Sequence, residues 1–260
     1  MKHTAKSLSL VAVIAVAVIG VPIVGLFVRV PWTRMVELWS NDTASQALLI
    51  TLQTSLIATA LCIVLGVPLA WAMSNMSPRV RTFTRAIVTV PVVLPPVVGG
   101  IALLSALGRK GVFGGLLSSV GISLPFTQTA VVLSQLFVAM PFLVLAVEGQ
   151  FRTMDRGVID AARVMGFGPF RTFAHVVLPM TKAPIIAGAI LAWARAVGEF
   201  GASITFAGSL RGKTQTLPMA VYELLERDWE LAMGLSVVMI LFAVAVIFGL
   251  RSQLLNSGNA

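Results

Sequence analysis

Hydrophobic residues fall into six long runs that short polar segments separate. A bilayer core is about 30 Å thick, so a helix that crosses it needs roughly 20 apolar residues. Each run reaches about that length, which predicts an all-α membrane protein with six transmembrane helices in a single transmembrane domain spanning residues 1–260. The predicted spans are residues 8–30, 47–73, 86–107, 128–148, 183–206 and 231–250.

Composition agrees with a membrane protein. The chain has 260 residues, of which 57% are hydrophobic and only 11% are charged. Soluble domains carry about 25% charged residues, so a soluble globule is excluded. One cysteine and two histidines exclude an intrachain disulfide and a cysteine zinc site, and disfavour a histidine-rich one. The first run could also be a signal peptide, but it exceeds the usual 7–15 apolar residues, which favours an uncleaved span.

The distribution of charge predicts an orientation. A net charge of +9 could suggest nucleic acid, but in so apolar a chain it indicates basic loops beside a membrane, so no nucleic-acid partner is expected. With the N-terminus inside, the inner loops hold more Lys and Arg than the outer loops, whose acidic residues nearly cancel their basic ones. The positive-inside rule then places both termini in the cytoplasm.

Two predicted spans contain unusual residues. Pro91, Pro95 and Pro96 interrupt the third span, and each proline removes a backbone donor, so this span should be kinked. The span then has one of two roles. It is functional, as the lining of a pathway or as a hinge, or it is an ordinary kink packed on another helix. In the second span, Thr51 and Ser55 share one helix face. They form either a polar stripe along a pathway or hydrogen bonds between helices.

The fifth predicted span contains a charge pair. Arg195 and Glu199 are four residues apart, so on a helix they can neutralise each other. Charges in a membrane are expensive and usually face the bundle interior. The pair is either a structural ion pair or a gate or substrate contact. Gly198 and Gly201 allow close approach of a second helix, which slightly favours packing.

The longest inner loop, residues 149–182, has internal order. Residues 160–162 are typical of a helix, residues 166–169 of a break, and Pro169 of the first turn of a second helix. The second helix should carry an apolar face and end at residues 178–179. Such a helix–turn–helix is either a docking surface for a partner or a loop packed on its own helix ends. The residues expected to form its face and basic rim are Arg163, Phe170, Arg171, Phe173 and Val177.

This loop resembles the inner-membrane subunits of ABC importers. Their pattern is Glu-Ala-Ala, three residues, Gly, nine residues, Ile, one residue and Leu-Pro. Here Asp and Val replace Glu and Ile, and every spacing matches. The resemblance implies a type I ABC importer permease fold and a loop that docks on an ATPase subunit. The expected docking residues are Asp160, Ala161, Ala162, Arg163, Gly166, Phe167, Phe170, Arg171, Leu178 and Pro179.

Other segments are similar to the molybdate type of these permeases. They are residues 91–96, 108–114, 193–206 and 214–218. The resemblance implies import of a tetrahedral oxyanion, with molybdate ahead of tungstate and of sulfate or thiosulfate. The residues singled out above as a candidate gate or pathway, on their own chemistry, are Pro91, Pro95, Pro96, Thr51, Ser55, Arg195 and Glu199.

The resemblance also implies the assembly. Two copies of the permease should pair with two cytoplasmic ATPase subunits and one extracytoplasmic oxyanion-binding protein, with lipid around them. The binding protein should dock on outer loops 31–46, 108–127 and 207–230. The sequence has no phosphate-binding loop of the Gly-x-x-x-x-Gly-Lys-Ser/Thr type, so the chain is not expected to be an enzyme or to bind a cofactor. ATP and magnesium belong to the ATPase subunit. A secondary transporter or channel and a membrane enzyme are the remaining alternatives.

Overall fold

The computed structural model describes residues 2–40 and 42–256, with side chains for residues 11–38 and 42–245. Regular structure in these ranges is helical. The helices are α1 (Lys2–Arg29), α2 (Met35–Ser40), α3 (Thr43–Asn75), α4 (Pro78–Val93), α5 (Pro96–Leu107), α6 (Gly114–Ser119), α7 (Gln128–Thr153), α8 (Arg156–Val164), α9 (Pro169–Met180), α10 (Lys182–Val197), α11 (Gly201–Ala207), α12 (Leu217–Arg227) and α13 (Trp229–Asn256).

Helices α1, α3 and α7 are long and apolar enough to cross a bilayer unaided. Two bent pairs, α4 with α5 and α9 with α10, have the composition of spans but are broken. The sixth predicted span lies within α13, whose described apolar stretch is Trp229–Ala245. The chain is therefore a multi-pass helical membrane protein, while the count of six spans remains a prediction.

The third predicted span is not one helix. Helix α4 begins at Pro78 and ends at Val93, α5 begins at Pro96, and the two axes differ by 116°. Leu94 and Pro95 are extended, with ψ of 135° and 134°, and each precedes a proline, which disfavours the helical conformation at the residue before it. The predicted kink is therefore a complete break.

The fifth predicted span is also broken. Helix α10 ends at Val197, and the chain resumes as α11 at Gly201. The Glu199 side chain lies at this break, and its Oε1 accepts a hydrogen bond of 2.7 Å from the Ala202 backbone N–H. That bond satisfies one of the free donors at the start of α11, so the carboxylate helps to begin the second segment.

Helix α7 forms the centre of the bundle. Leu143, Val144 and Val147 on this helix are fully buried against α3 and α10, together with Cys62 and Ala192. By contrast, none of the α1 window from residue 11 to residue 29 is buried within the chain. In hydrocarbon such an apolar helix is stable without a protein partner, since lipid covers its surface.

Arg34 connects α2 to the start of α13. Its guanidinium forms ion pairs with Glu37 at 2.9 Å, Asp228 at 2.8 Å and Glu230 at 2.7 Å. Hydrogen bonds from Arg34, and then from the Leu231 backbone N–H, hold the pKa of the Asp228 carboxyl below its ordinary value. The same guanidinium lowers the pKa of Glu37. These pairs join two segments that are almost 200 residues apart in sequence.

We expect Arg34→Gln to destabilise the folded chain at neutral pH and to matter less in acid. A carboxyl whose pKa is lowered on folding stabilises the protein above its unfolded pKa, about 4, and loses that effect as pH falls through the folded pKa. The test is thermal unfolding in detergent at pH 7 and below pH 4. The melting-temperature gap between wild type and variant should narrow in acid, whereas Lys110→Gln, in another outer loop, should show no such change. An equal difference in melting temperature between wild type and Arg34→Gln at both pH values would contradict this account.

Candidate functional site

The segment predicted as a cytoplasmic helix–turn–helix contains α8 and α9. Asp155 begins α8, because its Oδ1 accepts a 2.8 Å hydrogen bond from the Gly157 backbone N–H. The helix ends in the bond pattern of a Schellman motif: the Gly166 N–H donates to Arg163 O at 2.9 Å and the Phe167 N–H donates to Ala162 O at 3.0 Å. Gly166 has a φ of +82°, a conformation in which side chains are strained. A glycine at this position therefore suits the left-handed turn between α8 and α9.

Several of the predicted docking residues lie on the outside of this element. Phe170 is 83% exposed. Asp160 and Arg163 are exposed and form an ion pair of 3.2 Å. The Arg171 guanidinium lies 4.5 Å from the centre of the Phe167 ring. An exposed apolar ring beside basic groups is a suitable contact surface for another protein.

Other residues of the predicted face point inward, which corrects the sequence interpretation. Ala162 is 1% exposed, so its small side chain allows α8 to pack on its own protein. Phe173 packs against Trp71 with a ring separation of 6.0 Å, and Val177 is fully buried. Helix α9 lies at 78° to α10, and this angle turns its inner face onto the end of α3.

The predicted boundaries of this loop also need correction. Helix α7 continues to Thr153, beyond the expected end of its span at residue 148. The second helix contains a π-helical turn at Phe173–Val177 and ends at Met180, next to the predicted end at residues 178–179. Leu178 packs partly against the core, and Pro179 is exposed.

Val164 and Met165 are contact candidates that the sequence reasoning missed. They are 89% and 69% exposed, and they lie immediately before Gly166 at the tip of the element. Together with Phe170 they form an apolar tip, here called the cytoplasmic tip after the orientation that the sequence predicts. Two consecutive large apolar residues beside a glycine turn were a detectable signal, since apolar side chains at a turn have no interior of their own to fill.

In the second span, Thr51 favours the interhelical alternative. It is fully buried, and its Oγ1 accepts a 2.8 Å hydrogen bond from the Leu217 backbone N–H while donating to Ala47 O at 2.7 Å. It therefore attaches α3 to the start of α12. Ser55 is buried and donates only to its own helix, to Leu52 O at 3.3 Å.

The proline break places α5 against α11 at very short distance. A Cβ on Gly100 would lie 2.6 Å from Thr205 Cβ and 2.8 Å from Ala202 O, which no side chain tolerates. Pro96 contacts the start of α11, because a Cβ on Gly201 would lie 2.5 Å from Pro96 Cβ. The breaks in the third and fifth predicted spans therefore pack on each other. Pro91 is part-buried in the last turn of α4, and Pro95 is exposed.

Arg195 and Glu199 form the predicted ion pair. Arg195 Nη2 lies 2.7 Å from Glu199 Oε2, with side-chain exposures of 29% and 1%. The carboxylate thus binds Arg195 of α10 through one oxygen and the N-terminus of α11 through the other. The pair therefore links the last turn of α10 to the first turn of α11 across the break.

Buried polar groups on α7 were also missed. Glu148 is 1% exposed, and its Oε2 lies 3.6 Å from Nε of the half-exposed Arg85 on α4. Gln135 is fully buried, and neither its amide nitrogen nor its amide oxygen has a hydrogen-bond partner. The Ser203 hydroxyl on α11 is in the same condition. A single Gln or Ser in an apolar run gives no periodic signal, so the sequence does not mark these residues as buried polar groups.

Comparison with known proteins identifies the family. Residues 62–257 match the family described as binding-protein-dependent transport system inner membrane component. The chain belongs to this family. It is accordingly a non-catalytic permease subunit of an ABC transporter, which works with a binding protein and lies in a membrane.

Individual relatives refine this class. The molybdenum transport system permease protein ModB of Mycobacterium tuberculosis is 39% identical over 93% of this chain and 92% of its own length. A probable sulfate transport system permease protein, cysT of Zygnema circumcarinatum, is 26% identical over 89% of this chain and 82% of its own. The crystal structure of a bacterial ABC transporter that imports alginate aligns with a TM-score of 0.78, at 15% identity over 97% of this chain and 95% of that one, which shows a common fold.

Proposed function

We propose that this chain is the permease of an ATP-driven importer that moves molybdate from an extracytoplasmic binding protein into the cytoplasm. The observation that carries the proposal is the 39% identity to a molybdenum permease over nearly the whole chain. The resemblance of residues 193–206 to molybdate permeases supports it, since this segment contains the Arg195–Glu199 pair and α11. The sulfate relative, at 26% identity, is the specific observation behind the alternative of sulfate transport.

A separate subunit must supply the energy. We infer that two copies of this permease pair with two ATPase subunits, which bind ATP and magnesium in the cytoplasm. The α8–α9 element is the proposed coupling loop, and its cytoplasmic tip is the proposed contact with the ATPase. The support is geometric: the tip exposes Val164, Met165 and Phe170, although large apolar side chains are normally buried.

The proposed mechanism uses the two broken spans. ATP closes the ATPase pair and draws the two coupling loops together, and α9 transmits this movement to α10 because only Thr181 separates them. Helix α10 ends at the Arg195–Glu199 pair, where α11 and α5 pack on each other. A change of angle at that break opens the outer mouth, the anion enters, and hydrolysis restores the inward-facing state.

The experiment that tests the substrate is competitive uptake in cells that lack their own molybdate permease. The chain is expressed with its ATPase subunit and binding protein, and entry of labelled molybdate is measured against excess sulfate or tungstate. We expect saturable molybdate uptake that a tenfold excess of sulfate leaves nearly unchanged and that tungstate reduces. All three are tetrahedral dianions, but tungstate matches molybdate in size and sulfate is smaller. Sulfate uptake that molybdate fails to inhibit would instead support the sulfate alternative.

The orientation is tested by single cysteines in a Cys62→Ala background, since the native thiol is fully buried. Val112 is 83% exposed in the proposed outer loop, and Met165 is 69% exposed at the cytoplasmic tip. We expect an impermeant maleimide to label Val112→Cys on intact spheroplasts and Met165→Cys only after permeabilisation. Labelling of Met165→Cys from the outside would contradict the proposed topology.

A further inference from the structure

A polar cavity of about 220 Å³ lies where the cytoplasmic ends of α3, α4, α7 and α8 meet. Arg81 of α4, Arg152 of α7 and Arg156 of α8 line it, so the three guanidinium groups come from three different helices. Trp71 and Phe151, whose rings pack edge to face at 5.3 Å, form part of its wall. It is separate from the cytoplasmic tip and from the Arg195–Glu199 pair.

The positive charge of this cavity is not neutralised within the described part of the chain. Arg81, Arg152 and Arg156 form none of the ion pairs found there, whereas Arg85 and Arg163 each have a carboxylate partner. No acidic residue lines the cavity. Nearby Asp155 uses its Oδ1 to bind the Gly157 N–H, and Asp160 pairs with Arg163.

Three like charges around one small cavity repel each other unless an anion lies between them. Guanidinium groups present forked N–H donors that match the oxygens of a phosphate-like group. Helix α8 begins at Arg156, so the positive end of its dipole adds to this potential. Ser74 and Asn75 contribute less, because their donors already bind Trp71 O at 2.8 and 2.9 Å.

We infer that this cavity binds one tetrahedral oxyanion group, held by Arg81, Arg152 and Arg156. Two sources have this chemistry: a free oxyanion in the cytoplasm and the phosphate of an anionic lipid headgroup. In either case the bound anion ties the start of α8 to α4 and α7. The fraction of cavities that hold an anion therefore determines how firmly the α8–α9 element is held against the membrane domain. The inference does not depend on which anion is transported.

The test uses the full chain, delipidated in an uncharged detergent, and labelled sulfate in equilibrium dialysis. Arg81→Gln, Arg152→Gln and Arg156→Gln are compared with Arg79→Gln, which removes an exposed charge on α4 two residues before Arg81 and outside the cavity. We expect each cavity variant to bind sulfate at least tenfold more weakly, and Arg79→Gln to match wild type. Gel filtration and circular dichroism establish that the variants remain folded.

A second arm distinguishes the source of the anion. Native mass spectrometry measures retention of phosphatidylglycerol, with zwitterionic phosphatidylcholine as its control. Sulfate binding that depends on the three arginines supports the proposal with a free anion. Retention of phosphatidylglycerol alone, with the same dependence, supports it with a lipid phosphate. The proposal is overturned if neither sulfate nor phosphatidylglycerol binds in a way that depends on the three arginines. It is also overturned if the arginine variants lose only their binding to the ATPase subunit, because the arginines would then contact acidic side chains of that partner.

Discussion

Gly166→Val is expected to reduce ATP-dependent uptake at least tenfold while the protein still inserts into the membrane. Gly166 has a φ of +82°, and a β-branched residue in that region is strongly disfavoured. A Cβ there would meet nothing within 4 Å, so the harm comes from the backbone and not from a clash. Relief of about 1–3 kcal/mol of strain would displace the turn that positions the cytoplasmic tip. The loop lies outside the proposed spans, so insertion should not depend on it.

Gly168→Val is the matched control for this prediction. Gly168 lies two residues further along the same turn, also with nothing within 4 Å of a Cβ, but its φ is −70° and its backbone is extended. A valine is compatible with that conformation before a proline. Gly166→Asn should give intermediate uptake, because asparagine tolerates the left-handed region better than valine. Co-purification of the ATPase subunit, measured beside vesicle uptake, should follow the same order. Wild-type values for Gly166→Val in both assays would remove the main support for a coupling role.

The second large effect concerns the pair at the break between α10 and α11. Glu199 is 1% exposed and Arg195 is 29% exposed, so the two partners are not equivalent. Arg195→Met would leave a buried carboxylate without its cation, which typically costs about 3–5 kcal/mol. Glu199→Gln should be less harmful than Arg195→Met for two reasons. The amide oxygen of the glutamine can still accept the hydrogen bond from the Ala202 N–H, and the guanidinium on the long Arg195 side chain can reach water.

The double variant Arg195→Met with Glu199→Gln separates structure from gating. Removal of both charges is often nearly neutral for stability, so the double variant should be more stable than either single variant. Thermal unfolding in detergent measures stability, and vesicle uptake measures function. A stable double variant with full uptake assigns the pair to packing, whereas a stable one without uptake assigns it to gating. A double variant less stable than both single variants would show that the two charges do not compensate each other.

Local patterns in the sequence predicted features that depend on neighbouring residues. Helical spacing predicted the Arg195–Glu199 pair, and the contact forms although Glu199 lies just beyond the end of α10. The turn at Gly166 follows from a glycine between two helix signals. The prolines at residues 95 and 96 predicted a distortion, but not its 116° angle, because the angle depends on how α5 packs against α11. Contacts between distant segments set that packing, and a local pattern does not contain them.

The direction in which side chains face was predicted less well. Phe173 and Val177 were expected on one face with Phe170, and whether a partner or the chain's own helix ends cover that face was left open. Phe170 is exposed, whereas Phe173 packs against the core and Val177 is buried in it. Periodicity identifies residues that share a face but not which neighbour covers that face. Glu148 and Gln135 were missed for a related reason, since a single polar residue in an apolar run is noticed only when its burial is known.

ATP-dependent uptake by reconstituted vesicles tests the central claim most directly. The chain is reconstituted with its ATPase subunit, binding protein and labelled molybdate are supplied outside, and ATP with magnesium is enclosed within. The account predicts that molybdate accumulates only when ATP, the ATPase subunit and the binding protein are all present. Equal accumulation by vesicles that contain this chain alone would contradict it, because the chain would then be a channel or secondary transporter.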